Sequence, residues 1–167
     1  MKISQVLMMA AALCCVGDLS ARRRAAEPEA APPQAQAPEL TPEQQAQVQR
    51  QNEEVSNAAE RVVQLVDQGR FAEIWAGVSP VAKAVTQEAE FARQVGQDRE
   101  RLGAVESRRQ ANINRVMYRE GGEVPAGHYI TVVYAAKFAN AAQPIQELVS
   151  FHLDPDEVWR VAGYSVR

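Results

Sequence analysis

Thiols are scarce in this sequence. Of 167 residues only two are cysteine, Cys14 and Cys15, and both lie near the start. From residue 16 onward the chain has nothing with which to build a disulfide, a thiolate metal site or a thiol nucleophile. Histidine is equally sparse. His128 and His152 are far apart and form no His-x-His or Glu-x-x-His spacing, so both read as ordinary surface or edge residues rather than metal ligands or an acid–base pair. Aromatics make up 6% of the chain. The balance of 18 basic and 21 acidic residues leaves no positive excess for a phosphate backbone, which excludes a nucleic-acid partner. A Gly-rich phosphate loop, a Gly-x-Ser-x-Gly elbow and a His-Glu-x-x-His motif are all missing. Asp154-Pro155-Asp156-Glu157 lacks the glycine and ligand spacing of a calcium loop and reads as a hairpin turn with exposed carboxylates. No catalytic set, metal site or cofactor is therefore expected.

What is present begins with a leader. Lys2 precedes an apolar run from Val6 to Gly17, the pattern of a secretory signal peptide. The run is too short for a membrane span, which needs about 20 apolar residues. Small residues at Cys15 and Gly17 place the expected cleavage after Gly17, although Arg22, Arg23 and Arg24 just beyond it oppose export. Cleavage would remove both cysteines. A lipid anchor on Cys14 or Cys15 is the alternative, on a poor motif match. Residues 18–40 are rich in Ala, Pro, Glu and Gln, have no apolar period and read as a disordered linker. One domain, residues 41–167, remains. An exported location, periplasmic or secreted, is the expectation.

The domain changes character halfway. Thr41-Pro42-Glu43-Gln44 is a helix start, with Thr as cap, Pro in the first turn and Gln placed to close a capping box. Val55, Ala59, Val62, Val63 and Val66 then recur at helical spacing up to Gly69. Short helices are predicted over Arg70–Val78 and Val81–Val85. A longer one, capped by Thr86, carries Phe91, Val95 and Leu102 on its buried line. From Val105 the period becomes two. Residues Val105–Tyr118 form a long strand with room for a bulge, and Tyr129–Phe138, Ile145–Leu153 and Val158–Val166 complete four strands joined by short turns. Short connections force antiparallel pairing. The fold class is α+β: N-terminal helices packed on a curved four-stranded antiparallel sheet. Strict alternation in the last strand would put Trp159 with Val161 and Gly163 on one face, and Arg160, Ala162 and Tyr164 on the other. Gly163 suggests a bulge there.

Several of these segments resemble a known family. Leu102-Gly103-Ala104-Val105-Glu106-Ser107-Arg108 is similar to the Leu-Gly-Ala-Val-x-Ser-Arg segment of a bacterial exported family, domain of unknown function 4019. Gly127-His128-Tyr129-Ile130-Thr131-Val132, Phe138-Ala139-Asn140 and Trp159-Arg160-Val161-Ala162-Gly163-Tyr164-Ser165-Val166-Arg167 match its later elements. Leu65-Val66-Asp67-Gln68-Gly69, Trp75 and Ser79-Pro80 match its helical half. The resemblance covers residues 55–167 and departs at His128 and at Glu147-Leu148-Val149. It implies export and architecture but no chemistry. The helix-then-sheet order is also similar to nuclear-transport-factor-two-like cone folds, by analogy of fold alone.

The candidate binding residues are Arg108, Arg109, Tyr134 and Tyr164. Arg108 and Arg109 point to opposite faces of a strand, and either could clamp a carboxylate or phosphate. The competing reading is an ion pair on the sheet. Trp75, Phe91, Trp159 and Tyr164 could line a ligand cavity or fill a core that alanine alone cannot supply: Ala occupies 28 positions. Function is thus expected to be a non-catalytic module of the cell envelope that binds an unknown small ligand or envelope protein, with homodimerisation through the sheet as a further expectation. The alternative is a small cone-fold enzyme with a pocket between helices and sheet. Membrane contact would come only through the leader or a lipid anchor.

Overall fold

The computed structural model describes residues 40–167. The leader, Cys14, Cys15 and the linker fall outside the described residues. The first helix, α1 (Pro42–Asp67), starts with the full capping box. Thr41 Oγ1 accepts from the Gln44 amide, and Gln44 Oε1 accepts from the Thr41 amide at 2.8 Å. Its polar first half stays largely in water; the buried line begins at Val55 and runs through Ala59, Val62, Val63 and Val66. Gly69, at φ 68°, ends the run.

Three helices follow: α2 (Phe71–Ala76), α3 (Pro80–Lys83) and α4 (Glu88–Leu102). Both short helices differ from the apolar pattern: Gly77 stops α2 before Val78, and Ser79 caps α3 by accepting from the Val81 amide, so that α3 starts at Pro80 and ends at Lys83. Thr86 does not cap α4. That position belongs to Gln87, whose side chain makes no capping bond. Gly103 closes α4 at φ 75°, where a Cβ would press on the Asn140 amide at 2.9 Å.

The sheet runs β1 (Val105–Tyr118), β2 (Gly127–Phe138), β3 (Ile145–Leu153) and β4 (Trp159–Val166), in that spatial order and antiparallel throughout. It is open, so the α+β architecture is as expected. β1 carries two bulges, at Glu106 between the Val105 and Ser107 pairings and at Ala111 between the Gln110 and Asn112 pairings. A third, at Ala162, lets Val161 pair with Phe151 and Gly163 with Ser150. This extra residue inverts the alternation beyond it. Tyr164 therefore faces the helices with Trp159 and Val161, and the strict alternation expected for β4 is wrong.

The helix-facing side carries Ile130, Val132 and Tyr134 from β2 and Val149 and Phe151 from β3, against the valine line of α1. Phe138, Phe151 and Ile130 are fully buried. Each such side chain contributes about 1.5–3 kcal/mol relative to exposure. The helical half is tied to the far edge by a parallel bridge between Val78 and Val161, with the Ser79 amide donating to the Val161 carbonyl at 2.8 Å. Among the described residues no helix is long and apolar enough to cross a membrane.

Candidate functional site

Charge buried beneath a helix must be matched, and one cluster here is matched almost completely. Glu147 lies on the helix-facing side of β3 and is fully buried. Arg108 of β1 reaches it with two hydrogen bonds, one from Nε and one from Nη2 at 2.9 Å. The same guanidinium donates to Asp67 at the end of α1, at 2.8 and 3.0 Å. Arg99 of α4 also donates to Asp67, at 2.7 Å, and approaches Glu147 at 3.8 Å while lying 4.5 Å from the centre of the Phe138 ring. Tyr164 donates its hydroxyl to Glu147 at 2.8 Å. Two arginines, two carboxylates and a tyrosine thus join α1, α4, β1, β3 and β4. Burial disfavours the Arg108 charge, but the hydrogen bonds that it donates to Asp67 and Glu147 outweigh this and raise its pKa above the ordinary value. Burial, reinforced by the Glu147 charge, raises the Tyr164 hydroxyl. Arg99 Nη1 is buried without a hydrogen-bond partner.

A second buried polar cluster sits on the other face and toward the other end of β3. Ser79 Oγ donates to Asp154 Oδ1 at 2.5 Å, and His152 Nδ1 meets the same oxygen at 2.7 Å. Arg160 donates to Asp154 Oδ2 at 2.9 Å and to both oxygens of Asp156. Serine, histidine and aspartate in contact invite comparison with a hydrolytic triad. The connectivity is different. A triad places histidine between the other two, with one ring nitrogen for each. Here Asp154 is in the middle, and Ser79 lies 3.5 Å from the same Nδ1 that already faces the carboxylate. The imidazole cannot relay a proton from Ser79 to Asp154 through its two nitrogens. Burial works against the Asp154 charge, but the hydrogen bonds from Ser79, His152 and Arg160 overcome it and hold the carboxyl below its ordinary range. Two expectations are corrected. His152 is buried, beside the Tyr129 ring at 4.9 Å, and Asp154 is buried while Asp156 and Glu157 of the same turn are exposed. His128 is exposed.

The four candidate residues come together only in part. Arg108, Arg109 and Tyr134 border an open cleft of about 340 Å³ with Ser56, Glu60 and Gln64 of α1. Arg108 is committed to Asp67 and Glu147, so its guanidinium fork is occupied by protein carboxylates. Arg109 is exposed, and the Tyr134 hydroxyl is pushed up to about 12 by burial. Tyr164 belongs to the ion cluster and also to a different space. That space is a cavity of about 220 Å³ between the Ala162–Tyr164 stretch of β4 and the helices α2, α3 and α4. Trp75, Val78, Phe91 and Val95 supply its apolar wall, with the Trp75 and Phe91 rings 5.8 Å apart and tilted. Val124, Pro125 and Tyr129 complete it.

Sequence reading missed Asp67, Arg99 and Glu147 as one unit, and Ser79, His152, Asp154 and Arg160 as another. Glu147 did leave a signal, because it alternates with Val149 and Phe151 on a face that is otherwise apolar. An acid on a core face needs a buried partner. Thr86 and Gln94 of the cavity left none. Among the described residues no three His, Cys, Asp or Glu side chains are grouped to hold a metal ion.

Compared with known proteins, residues 58–164 match the model of a family described as "Protein of unknown function (DUF4019)". No curated protein matches the chain.

Proposed function

The chain belongs to the DUF4019 family, and we propose that it is a non-catalytic module of the cell envelope that binds a small ligand. The observation that carries this reading is the cavity beside β4. It is walled mainly by apolar side chains and touches the two polar clusters only through the Tyr164 and Tyr129 side chains. Those groups are spent on one another: Arg108 on Asp67 and Glu147, and His152 and Ser79 on Asp154. Export rests on the leader of residues 1–17 and the linker that follows.

Two measurements test the reading. Fractionation with N-terminal sequencing should recover a mature protein outside the cytoplasm, beginning after Gly17 or, if lipidated, at Cys14 or Cys15; recovery in the cytoplasm with Met1 intact overturns export. A metabolite thermal-shift screen should yield at least one reproducible, concentration-dependent rise in melting temperature. Turnover of a compound found in that screen would overturn the non-catalytic part.

A further inference from the structure

The cavity beside β4 also constrains what can occupy it. Its lining includes no charged side chain. An ion entering it would lose its hydration and gain no counter-charge, at a cost that small-molecule binding does not offset. The occupant is therefore neutral. The walls favour a flat apolar body, since Trp75 and Phe91 present tilted rings and Val78 and Val95 fill the space around them. Size sets the scale. A cavity of about 150 Å³ is already enough for a benzene ring, and this one is about 220 Å³. Polarity is confined to a few groups, among them the Thr86 hydroxyl and the Gln94 amide. Both are neutral and can donate or accept a hydrogen bond. One wall is the backbone of the Ala162–Tyr164 bulge, where Gly163, in register with Ser150, directs its Cα–H away from the helices.

We propose that this cavity is a binding site for a neutral, single-ring aromatic molecule with one hydrogen-bonding substituent, its ring among Trp75, Phe91 and Val95 and its polar end on Thr86 or Gln94. This rests on the binding-module reading and specifies its ligand class. Phenol and benzoate are the probes, because they share a ring and differ in charge. Calorimetric titration of the full chain should give a phenol Kd on the order of 0.1–1 mM, as befits seven heavy atoms. Benzoate should bind at least tenfold more weakly. The test variant is the pair Thr86→Val and Gln94→Leu, whose side chains lie outside the buried core. It should weaken phenol about fivefold and leave toluene unchanged, since it removes one net hydrogen bond from the polar probe alone. Absence of phenol binding, benzoate binding as tight as phenol, or phenol affinity unaltered by these substitutions would overturn the assignment. If phenol fails to bind while the metabolite screen still finds a ligand that shifts the melting temperature, the module binds elsewhere and only the cavity assignment falls. If neither phenol nor any screened compound binds, both readings fall.

Discussion

The two buried polar clusters lie on opposite faces and toward opposite ends of β3, and they solve the same problem differently. Around Glu147 everything is doubled: two carboxylates face two arginines, and five secondary-structure elements contribute. Around Asp154 a single carboxylate is satisfied mainly by neutral or rim donors, Ser79, His152 and the partly exposed Arg160. Glu147 itself is out of reach of water and is balanced by arginine charge, with Asp67 exposed at the rim of its cluster. Asp154 is balanced by neutral donors and by Arg160 at its own rim. The contrast shows how much of a buried ion's stability depends on which face of a sheet carries it.

The sharpest way to break the contrast is Glu147→Ala, which leaves Arg108 and Arg99 facing only Asp67. A loss of about 3–5 kcal/mol is expected in denaturant unfolding. Replacing the pair together, Arg108→Met with Glu147→Leu, should recover most of that loss. A double variant as unstable as the single one would show that the ion pair itself, not the uncompensated charge, is what matters. Asp154→Asn should cost less, about 1.5–3 kcal/mol at neutral pH, for hydrogen bonds to a charged acceptor. It should also change the acid limb. The Asp154 carboxyl is held below its ordinary value, so its contribution is complete above the ordinary carboxylate range and is lost as pH falls through the lowered folded value. The gap between wild type and Asp154→Asn should therefore narrow on acidification; a constant gap from pH 7 to pH 3 would contradict the assignment.

Gly127→Ala probes the same cluster from its neighbour. Gly127 has φ 144°, and a Cβ there would run into His152 Nε2. A loss of about 2 kcal/mol is expected, the scale of backbone strain at a single residue, with the His152 ring resonances in NMR spectra displaced. Unshifted resonances would mean that the imidazole is not held against Gly127. The smallest effect belongs to Thr41→Ala, remote from both clusters. Loss of the capping box should cost about 0.5–1 kcal/mol, read as faster amide exchange confined to the first turns of α1.

The same contrast explains what could be read from the chain and what could not. The capped start of α1, the switch from helical to strand period at Val105, the order of the four strands and the segments that hold the bulges at Ala111 and Ala162 are local properties, and local chemistry announces them; α4 starts without the Thr86 cap expected of it. The opposite faces of Arg108 and Arg109 followed from strand geometry alone. The face of Tyr164 did not, because one extra residue at Ala162 reverses everything after it, and a glycine hints at a bulge without locating it. The clusters are harder still. Asp67 and Glu147, or Ser79 and Asp154, are joined only by the way the helices fold back onto the sheet. Each residue alone resembles an ordinary surface charge or turn residue. Glu147 was visible as a break in an apolar alternation, yet Arg108 could be assigned to an external anion as readily as to an internal one. The cavity depends on what a bulge and three helices leave unfilled, which no spacing rule reports.

The bridge between Val78 and Val161 bears on the order in which the domain becomes native. The sheet is a meander of neighbouring strands joined by short turns, so its contacts close small loops and can form early. The Ser79 hydrogen bond to Asp154 spans 75 residues, and the Val78 bridge to Val161 closes only on a β4 that is already in register. Until the helices cover the sheet, Ile130, Val132, Val149 and Phe151 form an apolar surface open to water and to other chains. A sheet left uncovered is the aggregation-prone form of such a fold, and the clasp at Val78 and Ser79 is what fastens the cover to its far edge.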